Sequence, residues 1–271
     1  MWVSAPIRTD SHFLTESAFR LLQMPESELR VQNISDRQFT ASTLMFEEED
    51  GAALCSLQGH IIIRAFLIAL NVATLGTFYF ADEPWVHPVV HVSETIDGPT
   101  RSRALLKPSQ RLDIPSETLT DRDVKNALLL FGVMARDMDS VLEAEYSRGL
   151  LLLRMNFHEV NFRREAFACF YRALEQFVAK RILRVRKFKN DVADIERALT
   201  ELEASADFRS EFREIYAVRS SQVAHSQILP REITLEEVLK AKTFLDFVMF
   251  KTFRAQGLKM VEVAEEATDR K

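Results

Sequence analysis

Residues 161–186 have the period of a single long helix, and they are apolar on more than one face of it. Phe162, Ala166, Ala173 and Phe177 mark one stripe; Phe167, Tyr171, Leu174, Val178 and Ile182 mark another. A helix with one apolar stripe can lie on a surface, but one with two has to be surrounded. The rest of the chain must therefore supply amphipathic helices to enclose it, and both flanks have the matching period.

Upstream, Thr120 and Asp123 form a capping arrangement with an acid where Glu or Gln is usual. Val124, Ala127, Leu128, Phe131, Met134, Ala135 and Met138 follow at helical spacing. A further helix is expected over Tyr146 to Met155, with Gly149 as its weak point. Downstream, Asn190 is an N-cap for a helix over 191–204 with Val192, Ile195, Leu199 and Leu202 inward. The next helix is expected over 207–226 and stops before Pro230. Thr234 and Glu237 make a capping box that opens a final helix through Val238, Leu245, Val248 and Phe253. These segments predict an all-α bundle of four or five helices over 119–256, in which 119–140 is a connecting helix and 257–271 a charged, frayed tail.

The stretch before residue 119 differs. A short amphipathic helix fits 13–24, a strand fits 38–46, and the acidic turn Glu47-Glu48-Glu49-Asp50-Gly51 follows. A helix fits 60–75, and Thr77 to Ala81, Trp85 to Val92 and Arg101 to Leu106 read as extended, punctuated by Pro84, Pro99 and Pro108. Residues 1–118 are thus expected to be a small α+β domain with an antiparallel sheet of unassigned topology. The fold class is an α+β N-terminal unit followed by an all-α bundle, predominantly helical, and 271 residues suit two such units.

Composition narrows the function. Cys55 and Cys169 both sit in apolar stretches and read as buried small side chains, which fits a reducing, cytoplasmic setting. The N-terminus lacks the basic start and apolar run of a secretory signal. The most apolar stretch, Ile61 to Ala81, is interrupted by Arg64 and Asn71 and falls short of the ~20 residues that a membrane span needs. No membrane association is expected. A net charge of −5 means that any contact with phosphate must come from a local patch. Seven glycines, none clustered, leave no phosphate-cradling loop, dinucleotide fingerprint or nucleophile elbow.

The informative segment is EIYAVRSSQVAHS, Glu214 to Ser226. Phe208, Phe212 and Ile215 form a stripe whose next member is Arg219, so an apolar helix face ends in a guanidinium. A desolvated charge there costs on the order of several kcal/mol unless it is paired or wet. Pairing with Glu175 or Glu165 is one explanation. His225 follows six residues later. At about 100° per residue, the two side chains lie about 120° apart and meet only across a groove, against another helix or a second subunit. Ser221 stands four residues before His225, on its side of the helix. Lys180, Arg181, Arg184, Arg186, Lys187 and Lys189 crowd the end of the central helix. They are either a grip for an RNA backbone, with Lys180, Arg181, Arg184 and Lys187 foremost, or a solvated helix end whose cations suit the dipole. His87 and His91 would stand about 13 Å apart on extended chain, too far to share an ion. His158 and Glu159 read as capping or surface groups.

Tyr216, Arg219, Ser220 and, after five intervening residues, His225, on the penultimate long helix of a bundle, resemble the HEPN motif. The likeness extends over about residues 140–255 and includes the Phe167 to Leu174 helix ending in Glu175; residues 1–115 have no part in it. Ser220 departs from the Asn, Asp or His more usual after the arginine. The resemblance implies a metal-independent, cofactor-free endoribonuclease working as a homodimer with its two motifs face to face, in toxin or antiviral defence systems. The catalytic residues would be Arg219, His225 and, in a minor role, Ser220, with Glu175 as the structural partner of Arg219. RNA would be cut to 2′,3′-cyclic phosphate and 5′-hydroxyl ends, and a regulatory protein partner could act through the N-terminal unit. The alternative is a non-catalytic HEPN-like module for dimerisation or protein interaction.

Overall fold

The computed structural model describes residues 2–24, 27–44, 51–81, 89–92, 102–105, 112, 114–137, 139–157, 160–224 and 231–269. The chain opens with β1 (Trp2–Thr9), the two-residue β2 (His12–Phe13) and a 3-10 helix (Glu16–Gln23). β3 (Leu29–Ser35), β4 (Gln38–Leu44), the long α1 (Gly51–Thr74) and β5 (Phe78–Phe80) follow. β1, β3, β4 and β5 make an antiparallel sheet of order β3-β4-β1-β5, with Ile7 opposite Phe39 on one side and Phe80 on the other. Ile7, Val31, Phe39, Ala41 and Phe78 are buried and rest on α1 and the 3-10 helix. The predicted antiparallel sheet is present, although β1 and β3 had not been anticipated. Beyond it lie a hairpin of β6 (Val89–Val92) and β7 (Ser102–Leu105), then β8 (Glu117–Thr118), which pairs parallel with β2.

α1 is longer than the expected 60–75 and is buried nearly all round between Ala65 and Val72. One side faces the sheet, and the other packs against α2 (Asp121–Asp137). Ile68, Ala69 and Val72 thereby join the core of the helical bundle, so α1 belongs to both hydrophobic clusters. Asn71, the polar residue inside this apolar run, has a local job. Its amide donates to the carbonyls of Leu67 (2.9 Å) and Phe78 (2.8 Å) and accepts from the Phe78 amide (2.8 Å). With Leu75 in the left-handed region (φ 53) and the Gly76 amide returning to the Asn71 carbonyl, it ends the helix and launches β5. No helix among the described residues is long and apolar enough to cross a membrane.

The remaining helices are α3 (Ser140–Arg154), α4 (Arg163–Phe177), α5 (Asp191–Glu201), α6 (Ala206–Val218) and α7 (Leu235–Asp269), with the short pair β9 (Asn156–Phe157) and β10 (Val160–Asn161) before α4. α4 is the enclosed helix: of its two predicted stripes, Ala166, Ala173 and Phe177, and Phe167, Tyr171, Leu174 and Val178, are buried, Phe162 and Ile182 at the ends are half-buried, and Phe170, in neither stripe, is buried as well. Gly149 is the point at which α3 touches it, because a Cβ there would stand 2.7 Å from the Phe170 ring. The Thr120–Asp123 and Thr234–Glu237 boxes both close reciprocally, and Asn190 caps α5 by accepting from the Ala193 amide. The tail expected to fray after Gly257 is instead part of α7, which continues to Asp269. Gly257 is buried where α7 crosses α2, with Leu129 2.9 Å from where its Cβ would be.

A buried polar network joins α3 to α7. The Tyr146 hydroxyl donates to Asp246 (2.6 Å), and the Lys242 ammonium stands 2.5 Å from the other carboxylate oxygen. Lys242 and Asp246 are 1% and 0% exposed. Burial raises the Asp246 pKa even beside this cation, and it raises that of Tyr146 as well. Asp246→Ala would leave the ammonium without its carboxylate, and chemical denaturation should show a loss of about 3–5 kcal/mol. The double variant Lys242→Met/Asp246→Leu should recover most of that stability. A single variant as stable as wild type would contradict this account of the network.

Candidate functional site

α6 begins at Ser205, whose hydroxyl accepts from the Phe208 amide, and lays Phe208 and Phe212 against Phe244 of α7. Phe212 and Ile215 are buried, and the stripe then reaches Arg219. At that residue the α-helix becomes a π-helical turn, Arg219–Ala224. α4 does the same directly after Phe177, in a π turn over Val178–Ile182, where the Leu183 amide bonds the Val178 carbonyl five residues back. The long α-helices expected over 161–186 and 207–226 are therefore both widened near their ends. Such turns are uncommon and are enriched at functional sites. Widening also removes the constant 100° step from which the 120° separation of Arg219 and His225 followed.

Arg219 lies among three groups. Its Nη2 is 3.6 Å from Glu175 Oε1 and 3.5 Å from Asp191 Oδ2, and its Cζ is 5.4 Å from the Tyr171 ring centroid. Both carboxylate separations exceed those of a charge-assisted hydrogen bond, about 2.7–2.9 Å. The side chain is 27% exposed, so the guanidinium is held without being sealed. Burial pushes the Glu175 carboxyl up to about 6 although Arg219 pulls the other way, with Asp191 adding to the rise. Burial likewise raises the Tyr171 hydroxyl, which has no hydrogen-bond partner among the described residues.

Tyr171 and Asp191 were not anticipated as members of this site. Tyr171 and Glu175 are four residues apart and share a helix face, which was legible in the sequence; Asp191 reads only as the first residue after an N-cap. Ser220 is half-buried beside Arg219. The Ser221 hydroxyl donates to the Ala217 carbonyl (2.7 Å) and accepts from the buried Gln222 (3.3 Å). His225 lies outside the described residues, as do His87, His158 and Glu159, while His91 falls on β6.

The basic run is bracketed by Glu175 and Asp191, the two carboxylates nearest Arg219. Lys180 pairs with Asp139 at 2.7 Å, and Arg181 is half-buried and engaged. Arg184 takes a left-handed conformation (φ 52) as the helix ends, the Val185 amide reaching back to the Ala179 carbonyl. It is exposed, as are Arg186, Lys187 and Lys189. Asp194 accepts from the Lys189 and Asn190 amides and fixes the far end of the run. Cys169 is buried, and burial pushes its thiol up to about 11, far from a reactive thiolate. Among the described residues, no group of three or more His, Cys, Asp or Glu side chains is placed to hold a metal ion.

Because the folded protein holds the Glu175 proton more tightly than an unfolded chain would, stability from this group is fully present below about pH 4.5 and is lost as pH rises through about 6. NMR titration of the Glu175 carboxyl should give a midpoint near 6, and Arg219→Gln, by removing the cation that favours the carboxylate, should move it upward. A midpoint unmoved by that substitution would contradict the contact between the two side chains. The chain matches no protein-family model, no curated protein and no solved structure, so the chemistry of this site is read from its own residues.

Proposed function

We propose that the helical part of the chain is a metal-independent endoribonuclease of HEPN type, cutting RNA to 2′,3′-cyclic phosphate and 5′-hydroxyl ends. The observation that carries this reading is Arg219: a partly exposed guanidinium at the end of an apolar helix face, at the start of a π turn, held at ion-pair distance. An incoming phosphate competes for a cation that its own carboxylates grip loosely. It can take both guanidinium donors at once, which carboxylates at 3.5 and 3.6 Å do not.

RNA brings its own nucleophile. The ribose 2′-oxygen attacks the adjacent phosphorus as its proton passes to a base, and the 5′-oxygen leaves with a proton from an acid. His225 is the residue type for this work near neutral pH. Arg219 offsets the charge gathering on the phosphoryl oxygens. Ser220, next in sequence, helps to orient the phosphate. Arg184, Lys187 and their neighbours lie on the chain between Glu175 and Asp191, and they supply the local positive field that a chain of net charge −5 lacks overall. Two copies, each presenting Arg219 and His225 to a shared cleft, complete the site, in the toxin or antiviral setting that the family resemblance implies.

A second reading has its own observation. Arg219 is already compensated within its own chain by Glu175 and Asp191, as suits a structural arginine in a non-catalytic dimerisation or docking module. The two readings separate on structured RNA incubated in EDTA with wild type, Arg219→Ala and His225→Ala, each checked for fold by circular dichroism. The enzyme reading expects cyclic-phosphate products from wild type and a loss of about 100-fold or more in both variants. Equal, negligible cleavage by all three supports the interaction module.

A further inference from the structure

A concavity separate from the Arg219 site lies where the sheet meets the bundle. It is a cavity of about 400 Å³ walled by the middle of β1, by β5, by α1 and by α3. That volume lies within the usual range for small-molecule sites, about 300–1,000 Å³. Arg64 from α1 and Arg148 and Arg154 from α3 line it, together with His60. Among the described residues, its lining contains no carboxylate. Leu67, Ile68, Leu150 and Leu151 supply an apolar wall.

The cations are set in place rather than strewn over a surface. Arg154 lies flat on the Tyr79 ring, Cζ 3.3 Å from the centroid, and donates to the Phe80 carbonyl at 3.4 Å. Tyr79 is itself fixed by donating to Asp10 at 2.9 Å. Arg64 stands 3.5 Å from Glu143 and donates to His60 at 2.7 Å, and His60 stacks on Phe80 with centroids 4.7 Å apart. Accepting that hydrogen bond requires a neutral imidazole, and burial together with Arg64 lowers the His60 pKa accordingly. Arg148, paired with Glu145 at 3.3 Å, is 57% exposed and Arg64 33%, so one cation stands towards solvent and the other deeper.

We propose that this cleft binds an organic phosphate: a phosphate monoester carried on a flat, largely apolar body. The phosphate would lie between Arg64 and Arg148, and the body would rest along Leu67, Leu151 and the His60–Phe80 stack. Guanidinium groups suit phosphate because their planar forks bond two oxygens at once. The apolar wall and stacked rings give the body a surface that an inorganic ion would leave unused. Because the cleft joins β5 and α1 to α3, its occupant would couple the sheet to the bundle. The inference does not depend on the ribonuclease reading.

The test is equilibrium binding by titration calorimetry on the full chain at about 0.15 M ionic strength, where loose surface attraction is screened. The probes are AMP, UMP and phenyl phosphate, with inorganic phosphate and adenosine as separate arms. At least one ester should bind with a Kd below about 1 mM, more tightly than either inorganic phosphate or adenosine. Arg148→Gln, at a largely exposed position, and Arg64→Gln should each weaken it about tenfold or more. Arg197→Gln, on α5, should leave it unchanged. The proposal is overturned if no ester binds, if inorganic phosphate or adenosine binds as tightly as the best ester, or if Arg148→Gln makes no difference.

Discussion

The enclosure of α4 governs this molecule. Buried apolar residues cover most of its circumference, with Glu165 and Arg172 on the open side, so the helix needs a ring of others around its apolar part, and α3, α7 and the π turn that follows α6 are placed accordingly. Any polar group that reaches into that ring has lost its water and must find compensation in the protein. The structure does this in two ways. At the α3–α7 contact, Tyr146, Lys242 and Asp246 close on one another and are excluded from solvent. Where α4 and α6 end, Tyr171, Glu175, Asp191 and Arg219 come together without closing. Distances are long, a hydroxyl is left over, and a quarter of the guanidinium side chain remains exposed. The first arrangement is what a scaffold needs, and the second leaves binding capacity unspent.

The two π turns belong to the same logic. One follows Phe177, the last member of one apolar stripe of α4, and the other starts at Arg219, where the Phe208–Phe212–Ile215 stripe of α6 ends. An extra residue per turn re-aims the side chains that follow it. On α4, the turn leads into the cationic stretch that ends at Asp191; on α6, it carries Arg219, Ser220 and the buried Gln222. α1 plays the corresponding part between the sheet and the bundle, where its buried faces serve two cores and its polar residues, Arg64 and Asn71, build the cleft and the turn into β5.

Much of this was legible because the signals are local. Thr120 with Asp123, Thr234 with Glu237, and Asn190 mark helix starts through hydrogen bonds to residues two to four positions on, and the structure forms those bonds. The burial of α4 followed from its two stripes. What escaped depends on partners far along the chain. β1 contains Pro6, which argues against a strand, yet the proline is accommodated because it stands at the last rung beside β5, where its carbonyl accepts from the Ala81 amide and only the return donor is missing. Gly257 read as a helix end, whereas it is a crossing point with Leu129, more than 100 residues away in sequence. Asp191 joins Arg219 only through the packing of α5 beside α6, which no local pattern encodes. The π turns were invisible for a related reason: they leave the apolar period intact up to the residue where they start.

The central claim is that Arg219 and His225 act on a nucleophile carried by the substrate itself. It is tested most directly by comparing cleavage of one RNA sequence with that of its fully 2′-O-methylated counterpart, by wild-type protein in EDTA with product ends identified by mass spectrometry. The account predicts cleavage of the unmodified strand alone, each 3′ end bearing a cyclic phosphate. Cleavage of both strands, or of neither, would contradict it.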